Sequence, residues 1–336
     1  MRECILEKQA KIEEKPLRLT EVPTPQPKDD QIRIKILTCG VCRNDIHIAE
    51  GDLPLKKSPI ILGHEIVGIV DEVGKNVKKF ITGYMVGAFW LYSSCMKCKY
   101  CLSQRENYCA EIKCTGWDEN GGYAEYMTIS EGYALSLNLV QLEDFEIAPM
   151  LCKGIAGYAA LRLTEAQKGC KLGLFGFGPT AYFALKIAKY YGIEVYVSTR
   201  TKKNLENAIR EGASWSGNSI KEKMPYKLDC AIIFPPVGKL VEHVLSQLKK
   251  GGIFVLAPAT TSQIIINEYS KNLWGLSIRT LYNLKKSEAE EFLKIAKGLN
   301  LKVEASLFNL EDLQDALILA KHGKLEQHNA VIKISE

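Results

Sequence analysis

Four cysteines, Cys95, Cys98, Cys101 and Cys109, fall in the spacing C-x2-C-x2-C-x7-C. One short lobe of chain can therefore close four thiolates around a single tetrahedral ion. Soft sulfur ligands suit zinc, and a closed shell leaves no position for a substrate, so this metal is structural. Iron–sulfur runs use related but different spacings. Substrate chemistry must be sought elsewhere. Cys42 follows a strand, His64 sits in Gly63-His64-Glu65 between an apolar turn and the next strand, and Cys152 lies in an apolar segment at a domain junction. Taken singly, each of these reads as packing.

A second chemical signal is Gly176-Phe177-Gly178-Pro179-Thr180-Ala181, placed between an expected strand and an expected helix. Glycines there permit a tight turn and close approach of backbone to a pyrophosphate, and the helix N-terminus favours negative charge. At the end of the next strand a carboxylate would bind the ribose 2′-hydroxyl of NAD. That place reads Ser198-Thr199-Arg200-Thr201-Lys202-Lys203, with no acid and a run of cations. A carboxylate repels a 2′-phosphate, whereas a guanidinium binds it bidentately. NADP(H) is the preferred cofactor and NAD remains possible.

These residues need elements to hold them. From Cys4 to about Met150 the chain reads as short strands broken by Gly and Pro: Gln31–Thr38, Glu65–Val73 and Tyr123–Ile129 alternate, and helical periodicity is scarce. After about Gly154 strands and helices alternate, which favours a parallel sheet covered on both faces. Lys171–Phe175 is a strand, Thr180–Tyr191 a helix and Ile193–Ser198 a strand. Lys203–Glu211, Leu228–Phe234, Lys239–Leu248 and Ile253–Ala257 continue the series. Ser287-Glu288-Ala289-Glu290 reads as a capping box opening a helix to about Leu299; a helix near Asp312–Lys321 and a strand at Ala330–Ile334 follow.

With 336 residues, the chain sits near the expectation for two domains, and its apolar and charged fractions are those of a soluble globule. Residues Met1 to Ile12 interleave Arg2, Glu3, Glu7, Lys8 and Lys11 with apolar residues, unlike a signal peptide, and no apolar run approaches a membrane span. A cytoplasmic location follows, and eleven cysteines then point to metal ligation and buried thiols rather than disulfides. A formal charge of +5 without a basic helix face does not suggest nucleic acid.

As a set, Gly40-Val41-Cys42-Arg43-Asn44-Asp45-Ile46-His47, Gly63-His64-Glu65, Trp90-Leu91-Tyr92-Ser93-Ser94-Cys95, Gly121-Gly122-Tyr123-Ala124-Glu125-Tyr126 and Ala148-Pro149-Met150-Leu151-Cys152 resemble the zinc-dependent medium-chain alcohol dehydrogenase family over nearly the whole chain. The resemblance implies an α/β protein with a GroES-like β-rich catalytic domain and a Rossmann doubly wound parallel sheet. The expected boundaries are 1–152 (catalytic), 153–284 (cofactor) and 285–336 (return to the catalytic domain). It implies two zincs per chain, the catalytic one held by Cys42, His64 and Cys152, with Glu65 able to approach the metal transiently and Asp45 orienting His64. Three ligands leave one position for water or a substrate oxygen, in the pattern of known catalytic zinc sites of this kind. Trp90 and Leu53 would wall a pocket for small to medium primary alcohols and aldehydes, and a homotetramer, with a dimer second, is expected.

Where relatives usually carry Ser or Thr, this chain has Asn44, an amide that cannot relay a proton toward His47 as a hydroxyl does. The resemblance would also put a threonine at Ala156 and Gly-Arg at His328-Asn329. That leaves Arg43 and Arg279 as candidates for the pyrophosphate charge. Together with Ser198, Thr199, Arg200 and Lys203, and with Gly176, Gly178, Pro179, Thr180 and Ala181, they make up the expected cofactor set. Three other readings compete: an enoyl or quinone reductase of the same superfamily, needing no catalytic zinc, a zinc-dependent polyol or sugar dehydrogenase, and a non-catalytic nucleotide- or zinc-binding relative.

Overall fold

The alternation from Gln31 produces the strand Gln31–Gly40, whose inward residues Ile32, Ile34 and Ile36 are fully buried. It lies inside an antiparallel sheet running Leu135–Ser136, Met85–Ala88, Glu65–Val73, Gln31–Gly40, Asn329–Lys333, Ala305–Asn309; the last pair is parallel, and Tyr126–Ser130 also pairs with Gln31–Gly40. Register sets the chemistry. Gly40 stands opposite Glu65 on one side and Val331 on the other, so Cys42 and His64 leave two neighbouring strands at the same end. The computed structural model describes residues 1–137, 142–299, 301 and 303–335. Its compact units are Met1–Cys152 with Asn283–Glu336, and Lys153–Tyr282.

Strands Leu91–Ser93 and Lys113–Cys114 pair and present the four-cysteine lobe between them. That lobe contains only the short helix Lys99–Leu102 and a single 3₁₀ turn, Glu106–Tyr108, and both Met96 and Gln104 adopt left-handed backbone angles. With so little regular structure, the lobe is of the kind that a metal cross-link through its four thiols would stabilise.

The second unit is a six-stranded parallel sheet in the spatial order Trp215–Gly217, Glu194–Ser198, Lys171–Phe175, Leu228–Ile233, Leu248–Leu256, Ser277–Thr280. Numbered within the unit this is 3-2-1-4-5-6, the Rossmann order, whose ligand crevice lies at the carboxyl ends of strands one and four. Helices Pro179–Tyr190 and Lys202–Arg210 connect the first strands, within one residue of their expected limits.

Three expectations change. The segment expected as a strand from Tyr123 is a strand only from Tyr126, because Tyr123 serves the site instead. The helix expected to begin after Ser287 runs Lys286–Leu299, so Ser287 lies inside its first turn. Its first amide, at Lys286, is accepted by the Glu106 carboxylate at 2.8 Å, a remote acid doing the work of a local cap. Finally, helix Arg43–Glu50 interrupts the β-rich half and carries Asn44 and His47. Among the described residues, no helix is long and apolar enough to cross a membrane.

Candidate active site and metal centres

Cys42 caps the helix Arg43–Glu50: its amide donates to Asp45 Oδ2 at 2.9 Å. His64 follows Gly63, whose φ of +92° is a conformation that side chains resist, so the turn that delivers the histidine depends on glycine. Ligand atoms of Cys42, His64, Glu65 and Cys152 all lie within 4.8 Å of one another. Cys42 Sγ and Cys152 Sγ are 3.7 Å apart, far from a disulfide bond. The separation fits two corners of a tetrahedron with metal–sulfur bonds of about 2.3 Å. His64 is fully buried, and neither ring nitrogen makes a hydrogen bond among the described residues, Nδ1 having Asp45 Oδ1 at 3.2 Å and Nε2 no such neighbour. A buried imidazole nitrogen without a proton partner, beside two thiols, fits a metal ligand. The residues therefore fit a zinc.

Asp45 organises this cluster from behind. Its Oδ1 lies 3.2 Å from His64 Nδ1 and accepts the Gly63 amide, and its Oδ2 takes the Cys42 amide and the Tyr123 hydroxyl, the latter at 2.7 Å. Burial pushes the Asp45 carboxyl up, but His64 and these donors prevail and leave it below its ordinary value. Cys42 is also held well below an ordinary thiol, through the hydrogen bond from Cys152 and then, against burial, by His64. The site thus favours thiolate, the form that binds metal.

Trp90, 5% exposed, meets His64 edge to face with ring centroids 4.8 Å apart and donates to Asn283 Oδ1. Trp117 lies 5.9 Å from Trp90, with Lys56 Nζ 3.5 Å over its ring. The Leu53 amide donates to the His47 carbonyl, and His47 Nδ1 is 2.7 Å from Asp52 Oδ2. The sequence reading missed Tyr123, Asp52 and Trp117 as participants. Tyr123 stood within a quoted motif without a role, and Asp52 lies five residues beyond His47 across a glycine turn.

In the second donor set, all four sulfurs again lie within 4.8 Å, with Cys95 and Cys98 at 3.8 and 3.6 Å from Cys101. The Cys98 amide donates to Cys95 Sγ at 3.4 Å, and the amides of Lys97 and Cys98 bring Cys95 down to about 7. Burial instead pushes Cys109 up to about 11. These residues fit a closed sulfur site.

In the Rossmann unit, Gly176 has φ +85° at the end of its strand, and a Cβ on Gly178 would meet nothing within 4 Å, so open space lies before the helix Pro179–Tyr190. Ala181 is buried behind it. These residues fit a dinucleotide pyrophosphate. Arg200 and Lys203 are exposed after the strand Glu194–Ser198, and the Thr199 amide donates to Gly217. Both arginines considered for the pyrophosphate have partners already: Arg43 donates to the Lys321 carbonyl, and Arg279 to the Leu163 carbonyl and Glu165. Asn329 is buried in its strand, donating to the Glu304 carbonyl.

The alcohol dehydrogenase GroES-like domain family matches residues 28–139. A Mycobacterium tuberculosis protein named probable alcohol dehydrogenase AdhA is 37% identical over 90% of this chain and 88% of its own length. An alcohol dehydrogenase of Geobacillus stearothermophilus is 32% identical over 96% of this chain and 97% of its own. The solved structure of CAD from Helicobacter pylori, complexed with NADP(H), superposes with a TM-score of 0.88 at 26% identity, covering 99% of this chain and 97% of that one. A cinnamyl alcohol dehydrogenase of Sorghum bicolor shares the fold, with a TM-score of 0.89 at 23% identity and coverage of 99% and 97%.

A GroES-like unit, a Rossmann unit and sulfur-rich donor sets together define a zinc-type oxidoreductase of nicotinamide cofactors. The chain belongs to the zinc-type medium-chain alcohol dehydrogenase family and is an NAD(P)-dependent alcohol dehydrogenase acting on small molecules.

Proposed function

We propose that this enzyme interconverts small to medium aldehydes and primary alcohols, prefers NADP(H), and holds two zincs per chain, one catalytic and one structural. The buried Cys42, His64 and Cys152 donor set carries this reading. Zinc there supplies Lewis acidity toward a carbonyl or alcohol oxygen, and nicotinamide supplies the hydride chemistry.

The chain's own residues do the rest. The Asp45 carboxylate, 3.2 Å from His64 Nδ1, favours a hydrogen on that nitrogen and so leaves Nε2 as the ligand. Asp52, a carboxylate that can only accept, likewise fixes the hydrogen of His47 on Nδ1 and leaves Nε2 to take a proton. Asn44 can orient an oxygen but cannot pass its proton on, so water or a ribose hydroxyl must bridge to His47. Trp90 and Trp117 offer aromatic surface beside His64, which supports flat, unsaturated aldehydes within the range, in keeping with the cinnamyl alcohol dehydrogenase names of several relatives.

NADP(H) preference is supported by the strand end Ser198–Lys203, which has cations and no acid. Homo-oligomer formation, a tetramer or a dimer, is supported by the exposed edge strand Ser277–Thr280, flanked by Trp274 and Tyr282, both more than half exposed. None of the eleven cysteines is joined in a disulfide, which supports a reducing, cytoplasmic setting.

Oxidation of NADPH and NADH with aldehydes, ketones and enals, using zinc-replete protein and Cys152→Ala, tests the reading. Aldehyde-dependent NADPH oxidation lost in Cys152→Ala is the expected result. Reduction of the enal double bond that survives in Cys152→Ala would move the enzyme to the alkene reductases.

A further inference from the structure

Ser198 ends the strand that stops at the expected ribose site, and its hydroxyl is not idle. Ser198 Oγ lies 2.7 Å from Ser219 Oγ, which lies 2.9 Å from His243 Nε2. The Ser219 amide also donates to Ser198 Oγ at 3.2 Å. Ser219 is 8% exposed, and the half-buried His243, on the helix Lys239–Ser246, meets the ring of Phe175 edge to face. Neither Ser219 nor His243 belongs to the dinucleotide motif.

Hydrogen-bond direction in such a chain is settled at its far end. When Nε2 of a neutral imidazole accepts, Ser219 spends its hydrogen on the ring and Ser198 spends its own on Ser219. Ser198 then shows the cofactor an acceptor, which suits a ribose 2′-hydroxyl and repels a phosphate. When Nε2 carries hydrogen, as it must in the imidazolium, the ring donates to Ser219 and Ser219 to Ser198. The Ser198 hydrogen is then released outward, toward an acceptor-only 2′-phosphate.

We propose that Ser198, Ser219 and His243 form a reversible hydroxyl relay that biases the enzyme between NADP(H) and NAD(H) according to the protonation of His243. This rests on the reading that Ser198–Lys203 receives the adenosine ribose.

The surroundings allow such a switch. Burial, with no neighbouring charge, holds His243 below its ordinary value. On its own helix Glu242 is occupied by Asn267 and Asn272, and Lys239 lies one turn earlier. On the Ser219 segment Glu222 accepts the Asn218 amide and Lys221 follows. On the strands packed against this helix, Leu228–Ile233 and Leu248–Leu256, Asp229 pairs with Lys249 and Lys250 donates to the Trp274 carbonyl, and on the helix Tyr269–Asn272 Lys271 pairs with Glu268. Lys171 and Glu194 pair with each other at the far ends of their strands. The cations after Ser198, Arg200 among them, are exposed. A bound 2′-phosphate is therefore the charge best placed to favour protonation of His243.

The two titrations have opposite signs. A phosphate monoester loses negative charge as pH falls through about 6, which weakens its hold on cations, whereas the relay strengthens NADP(H) binding as His243 gains its proton. Dissociation constants of NADPH and NADH are measured by nicotinamide fluorescence between about pH 7.5 and about pH 5.5, in wild type, Ser219→Ala and His243→Phe. Melting curves check each variant's fold. The expected result is that NADPH preference in wild type, divided by that in either variant, rises at least about threefold as pH falls. Equal pH slopes in all three proteins overturn the relay. Arg200→Ala at the higher pH separates the two ideas. Loss of NADPH preference there with equal slopes removes the relay alone, whereas equal binding of NADPH and NADH by wild type removes the ribose-site reading as well.

Discussion

Asp45 Oδ1 stands 3.2 Å from His64 Nδ1, and the opposite oxygen of the same carboxylate receives both the amide of Cys42 and the hydroxyl of Tyr123. One side chain thus aims one member of the proposed zinc donor set and anchors the backbone of another. Asp45→Asn should weaken zinc retention at this site about 10- to 100-fold, and Tyr123→Phe less, because only one of the carboxylate's bonds is lost. Competition with a chromophoric chelator measures both. Unchanged retention in Asp45→Asn would sink the assignment.

Asn44→Thr should raise alcohol oxidation at neutral pH by restoring a hydroxyl on the face of the helix shared with His47. The same change should do little in Asp52→Asn, where His47 loses the partner that fixes its hydrogen. Steady-state kinetics of the single and double variants test the coupling. Equal or lower turnover in Asn44→Thr would remove the relay from the account.

Arg200→Ala and Lys203→Ala should each raise the NADPH dissociation constant about tenfold and leave NADH within about twofold, since a hydrogen bond to a charged group contributes about 1.5–3 kcal/mol. Equilibrium binding of both nucleotides decides this. A parallel loss of NADH affinity would mean that the cations act on the pyrophosphate or on folding.

Alkaline stability has a defined sign. Burial pushes Cys4, Cys114 and Cys230 each up to about 12 from an ordinary 9.0. Between those values the unfolded chain has released protons that the folded chain retains, so stability falls as pH rises past 9.0. The thermal midpoint should drop above that pH, and less steeply in Cys230→Ala. The three thiols should also resist alkylation at neutral pH in the native state.

Ile278→Lys, on the exposed edge strand, should shift the enzyme toward smaller species in sedimentation without lowering the thermal midpoint of the monomer. A wild type that already sediments as a monomer at micromolar concentration would contradict the proposed assembly.

The four-cysteine lobe and the strand after His64 were legible in the sequence because spacing and alternation are local signals, whereas the two-residue strand Ile60–Ile61 before His64 was read as a turn. Glu65–Val73 and Lys171–Phe175 have their expected limits. The helix Lys153–Leu163 gave no such signal, because Gly154, Ile155, Gly157, Tyr158, Ala159, Ala160 and Leu161 are all buried and no polar stripe marks its period. Glu106 at the Lys286 amide, Tyr123 on Asp45 and His243 behind Ser198 were hidden for a different reason. Each acts across tertiary contacts, and nothing in the neighbouring residues announces the partner.

The strand Asn329–Lys333 lies inside the sheet that carries Cys42, and its Val331 stands opposite Gly40. In chain order this strand follows the whole unit Lys153–Tyr282. That unit is therefore complete in the nascent chain while the sheet that carries Cys42 still lacks an inner strand, and Thr38–Gly40 has no strand partner on that side until Asn329–Lys333 arrives. A chain cut before Asn329 would leave that edge unpaired beside Cys42 and open to another strand.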